Sequence, residues 1–116
     1  MEYILSNNVT KDLLINNGFR EITYKDAYKT EYEYIYIKSL NKRVYMSIAI
    51  TLSKDKFSLS SIRIINDDLG ILYKPFYSNE SSIELDNIIN NYNNEMNKLI
   101  DLGIFKKNEK VLKKEM

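Results

Sequence analysis

The chain contains no cysteine, no histidine and no tryptophan. Without cysteine there is no disulfide and no thiolate nucleophile. Without cysteine and histidine the usual zinc ligands, imidazole acid–base chemistry and Ser-His triads are excluded as well. Glycine and proline are scarce, and Gly18, Gly70, Gly103 and Pro75 are widely scattered. That spacing excludes both the Gly-x-Gly-x-x-Gly fingerprint and the phosphate-cradling P-loop. No apolar run approaches the roughly 18 residues that a bilayer span requires. Residues Met1–Ser6 lack the basic start and apolar stretch of a signal peptide. A soluble cytoplasmic protein is therefore expected. Net charge is scarce too: 17 Lys+Arg oppose 16 Asp+Glu, leaving +1. No global field draws the molecule to nucleic acid or to a membrane.

What is present is enough apolar sequence for one core. The chain has 116 residues, 44% of them hydrophobic and 12% aromatic. That is one domain's length, with too many aromatic and branched side chains for a disordered chain. A short helix is expected from Lys11 to Asn17. Thr10 supplies the N-cap, Val9 and Leu14 have hydrophobic-staple spacing, and Gly18 takes the left-handed position after the helix. Four or five strands follow, over 19–24, 31–38, 43–53, 57–65 and, as an edge strand limited by Pro75, 70–77. The clearest is the third, in which Val44, Met46, Ile48, Ile50 and Leu52 alternate with Tyr45, Ser47, Ala49 and Thr51.

The long C-terminal helix is the strongest pattern. Leu85, Ile88, Ile89, Tyr92, Met96, Leu99 and Ile100 recur at helical spacing. Ser81 and Glu84 fit a capping box, and Gly103 fits the C′ position with Ile104 packing back on Leu99. The expected fold is α+β: a short N-terminal helix, an antiparallel four- to five-stranded meander, and the long helix across one sheet face. Residues 1–105 form the domain. Residues 106–116, with five lysines against two glutamates, form a flexible basic tail.

The turn at Asn41-Lys42 sets which side chains share a face. A two- or four-residue loop places Ile35 and Ile37 with Val44, Met46 and Ile48 under the helix. It places Tyr32, Tyr34, Tyr36 and Tyr45 together on the opposite face. A three-residue loop mixes the faces and is rejected on that ground. In the next hairpin, Ile62 and Ile64 have one parity while Phe57 and Leu59 have the other. A bulge near Ser60-Ser61 reconciles them.

Carboxylates are the remaining acid–base candidates. Asp67-Asp68 before Gly70 read as a turn, and the calcium-loop spacing is absent. Glu31 and Glu33 lie two apart on one strand face, but no acid-x-Lys strand motif accompanies them. They read as the strand's solvated end. The free N–H groups at Ser81-Ser82 are accounted for by capping. Asn87, Asn90, Asn91, Asn94 and Asn97 form a polar helix face, for which AT-rich coding is the simplest origin. No metal and no cofactor is expected.

Asn, Ile, Lys and Tyr, all with AT-rich codons, make up nearly half the chain. Together with the small size and the missing enzyme motifs, this style resembles the small accessory proteins of phages and mobile elements of AT-rich bacteria. The resemblance implies a protein that occupies and inhibits a host protein such as a defence nuclease. The residues themselves point to a non-catalytic protein-binding module. Tyr32, Tyr34, Tyr36 and Tyr45 form its expected partner surface, for a host protein or for a second copy in a homodimer. The alternative is a single-strand nucleic-acid binder. It would stack bases on the same tyrosines and use Lys106, Lys107, Lys110, Lys113 and Lys114 for phosphates.

Overall fold

A computed structural model of the chain describes residues 2–23, 31–78 and 81–108. It is an α+β structure. Its first element is a strand rather than a helix: β1 (Tyr3–Leu5) precedes a six-residue helix, α1 (Lys11–Asn16). Thr10 caps α1, its hydroxyl accepting the Leu13 N–H at 3.1 Å. Gly18 turns the chain with φ +95° into β2 (Arg20–Thr23). Then come β3 (Glu31–Ser39), β4 (Val44–Ser53), β5 (Lys56–Asn66) and β6 (Ile71–Leu72). These five strands form one antiparallel sheet in the order β2-β3-β4-β5-β6, a simple meander. The fifth strand is only two residues long. Pro75 ends it, because the chain turns into a 3-10 helix at Lys74–Tyr77.

The long helix α2 (Ile83–Asp101) follows the expected stripe. Leu85, Ile88, Met96 and Leu99 are buried, with Ile89, Tyr92 and Ile100 half-buried beside them. Each fully buried side chain of this size contributes roughly 1.5–3 kcal/mol. Capping falls one residue later than expected. The Ser82 hydroxyl accepts the Leu85 N–H at 3.0 Å, while Glu84 accepts from the Asn41 side-chain amide at 3.2 Å. At the other end Gly103 has φ +85°. The Ile104 N–H returns to the Leu99 carbonyl at 3.0 Å, which buries Ile104 completely.

That turn leads into β7 (Phe105–Lys107), which pairs antiparallel with β1, Tyr3 opposite Lys107 and Leu5 opposite Phe105. The domain therefore continues past Phe105. Lys106 and Lys107, expected in a flexible tail, are strand residues, and the Asn108 N–H donates to the Glu2 carbonyl at 2.9 Å. The reason is local. Phe105 is buried, which fixes the strand, while the two lysines stay exposed. Lys110, Lys113 and Lys114 lie outside the described residues.

The β3–β4 hairpin overturns the expected faces. Tyr36 pairs with Ile48, Tyr34 with Ile50 and Ser39 with Tyr45, and the Leu40 N–H donates to the Val44 carbonyl at 2.8 Å. The loop is thus the three residues Asn41, Lys42 and Arg43. Asn41 builds it: its side-chain oxygen accepts from the N–H groups of Arg43 at 2.8 Å and Val44 at 2.7 Å. An odd loop puts even positions of both strands on the same face. Tyr34 (1% exposed) and Tyr36 (7%) therefore lie in the core with Met46, Ile48 and Ile50. Tyr32 packs half-buried at the end of that face, and Tyr45 lies on the opposite one. In β5 the expected bulge is present. Ala49 faces Ser61 and Ile50 faces Leu59, so Ser60 is the extra residue. It brings Phe57, Leu59, Ile62 and Ile64 onto the core side, as the parity of those residues requires.

Candidate functional site

Among the described residues, the helical layer covers one face of the sheet and nothing lies over the other. The other is built from the odd positions of β3 and β4 and their register partners. Along one edge of this face run Ile22 and Glu33 opposite Thr51, then Arg20 and Ile35 opposite Ala49 and Ser61. Next come Ile37, Ser47 and Arg63 in one row, and Ser39, Tyr45, Ile65 and Leu72 in another. The two central strands thus contribute Ile35, Ile37, Tyr45, Ser47, Ala49 and Thr51, with Glu33 as a charge toward one end of β3. Arg20 and Arg63 stand on the flanking strands. Ile37, near the end of β3, is 64% exposed, Leu72 48% and Ile22 40%. Ile37, the seventh residue of the nine-residue β3, meets solvent because nothing in the described chain lies over it.

Two shallow grooves border the face. One, of about 400 Å³, lies between the Asn41 loop and the β5–β6 turn, lined by Ile37, Asn41, Lys42, Tyr45 and Asp67. The other, of about 610 Å³, is more apolar and lined by Ile71, Leu72, Lys74, Tyr77 and Ser78. Leu72 belongs to both the second groove and the sheet face, so the open apolar surface is continuous around the β6 edge.

The acidic candidates do not assemble into a site. The Asp67 N–H donates to the Arg43 carbonyl at 2.7 Å, the Asp68 N–H to the Asn66 side chain at 3.0 Å, and Gly70 closes the turn with φ +66°. The Asp68 carboxylate lies 3.9 Å from Arg43, and both side chains are exposed. Glu33 sits half-buried on the open face, and the Glu31 side chain lies outside the described residues. Among the described residues, no group of three or more acidic, histidine or cysteine side chains could hold a metal ion. No helix among them is long and apolar enough to cross a membrane. No family model, curated protein or solved structure matches the chain.

One buried polar pair escaped the sequence reading. Glu95, 8% exposed, accepts a short hydrogen bond from the Tyr36 hydroxyl, with Lys98 3.9 Å away on the solvent side. Burial raises the Tyr36 pKa well above the ordinary phenol value, and the hydrogen bond to Glu95 and its negative charge raise it further. The phenol is therefore neutral and serves as donor. Tyr34 does the same at the other end of the core face, donating to Glu21 at 3.2 Å, and Glu21 is also paired with Lys11 at 3.1 Å. The signal for Glu95 was its position. It falls three residues after Tyr92 and four before Leu99, on the apolar stripe itself.

Proposed function

We propose that the chain is a non-catalytic protein-binding module whose recognition surface is the open sheet face around Ile37 and Tyr45. The observation that carries this reading is the open apolar surface at Ile37, with Tyr45 and Ser47 half-exposed beside it, continuous through Leu72 with the apolar groove at β6. Contiguous apolar surface of this kind is a mark of interaction sites. Of the four tyrosines first considered, Tyr45 belongs to this surface, while Tyr34 and Tyr36 act from inside, holding the sheet that presents it. The resemblance to phage and mobile-element accessory proteins makes a host protein the foreign partner to look for. A nucleic-acid reading is less well supported, because two of its stacking rings are buried and the open face offers only scattered cations.

The test compares the wild-type chain with Ile37→Asp. Immobilised wild-type protein is exposed to bacterial lysate, and its self-association is followed separately by light scattering. Loss of the retained species or of self-association in the folded variant supports the reading. A wild-type chain that neither retains a protein nor associates with itself refutes it.

A further inference from the structure

We propose that the open sheet face is covered by a second copy of this chain, giving a symmetric dimer in which two sheets pack face to face between two helical layers. The inference rests on the protein-binding reading above and names the partner.

The size of the face is the first argument. With strands ~4.8 Å apart and a rise of ~3.3 Å per residue, each outward side chain commands roughly 30 Å² of flat face. The outward positions of β2 to β6 together span roughly 600 Å² on this basis. Side chains standing proud of the sheet add accessible area to that figure. The result approaches the ~800 Å² per partner of a stable interface. The layout is the second argument. Ile35, Ile37, Tyr45, Ser47 and Ala49 occupy the middle strands, Glu33 lies toward one end of β3, and Arg20 and Arg63 stand on the flanks. An uncharged centre within a charged rim is the anatomy of a protein interface.

Shape selects the occupant. A twisted sheet is a saddle, and another sheet of the same twist packs against it when aligned within about 30°. A second copy supplies that surface by construction, and a twofold axis lets the same patch meet itself. Electrostatics does not oppose it, since the chain carries a net charge of only +1.

Sedimentation equilibrium over a range of protein concentrations tests the proposal. The expected wild-type species has twice the 13.7 kDa chain mass. Ile37→Asp buries a charge within the interface and should raise the dimer dissociation constant at least ~30-fold. Ser47→Lys, at a half-exposed polar position of the same face, should do likewise and keeps the test valid if Ile37→Asp fails to fold. Asn94→Lys, on the exposed side of α2, should leave the dimer intact. A wild-type chain that stays monomeric throughout overturns the proposal. So does a dimer that survives both face variants, or one broken by Asn94→Lys. A monomer whose lysate partner is lost in Ile37→Asp overturns the dimer while sparing the protein-binding reading.

Discussion

Replacing Tyr36 with phenylalanine removes one oxygen and tests whether the core is assembled as described. The ring stays, with its centroid 5.0 Å from that of Phe19, so packing is preserved and no appreciable cavity opens. What is lost is the donor to Glu95, a carboxylate only 8% exposed. A hydrogen bond to a charged group contributes ~1.5–3 kcal/mol. Lys98, 3.9 Å away and exposed, offsets part of the loss. Tyr36→Phe should therefore cost about 2 kcal/mol, read as a lower urea midpoint with an unchanged slope. Combined with Glu95→Gln, the two effects should fall short of additive by at least ~0.5 kcal/mol, as for residues in direct contact. Alkaline unfolding supplies an independent readout. The native Tyr36 pKa is raised above the unfolded value near 10, so its contribution is fully present below that pH. It is lost as pH climbs toward the native pKa. Wild-type stability should fall above about pH 10, and Tyr36→Phe should flatten part of that fall, leaving the parts due to Tyr92, Tyr34 and Tyr3, whose pKa values are also raised by burial. A variant within ~0.5 kcal/mol of wild type, with full additivity to Glu95→Gln, would show that the hydroxyl reaches water and would refute the inward placement of β3's tyrosines.

Ile48→Ala, at a fully buried mid-strand position, should destabilise by ~2–5 kcal/mol in chemical denaturation, and a loss under ~0.5 would contradict its burial. Gly18→Ala should lower the melting temperature more than Gly103→Ala. Both sites have positive φ, but a Cβ at Gly18 meets the Tyr36 ring at 3.2 Å while Gly103 faces open space, so equal shifts would argue against that contact. Ending the chain at Phe105 removes the β7 partners of Tyr3 and Ile4. Thermal melts should show a clear drop, and an unchanged melting temperature would mean that the small sheet contributes nothing.

Periodicity made much of this fold readable. The α2 stripe, the alternation of β4 and the Ser60 bulge each rest on a repeated parity of apolar residues, and a single substitution does not blur them. The β3–β4 faces rested instead on one loop length, and an odd loop reverses every side chain. Tyrosine made the choice ambiguous, because its ring suits a core while its hydroxyl suits water. Here Glu95 and Glu21 accept the two hydroxyls, which removes the cost of turning Tyr36 and Tyr34 inward. A cue lay in the even positions: Tyr34, Tyr36, Leu40, Val44, Met46, Ile48 and Ile50 share one face only across an odd loop, with Lys38 as the single polar strand position among them. Asn41, with a side chain suited to bridging such a loop, pointed the same way. The β1–β7 pairing was not readable. Its strands are three residues each, too short for a period, and its partners lie some hundred positions apart. The recognition surface moved with the hairpin, from the side of Tyr34 to the side of Ile37.

The pairing of Tyr3 with Lys107 also orders events during synthesis. The five-stranded meander joins neighbours in sequence, so its contacts can form while the chain is still emerging. The small sheet cannot. Tyr3, Leu5 and the core space beneath them wait for Ile104 and Phe105, which at ~5–20 residues per second leave the ribosome several seconds later. Throughout that interval the nascent domain carries an unfinished apolar edge. Its last-made strand acts as the latch that shuts it, and the two ends of the fold finish side by side.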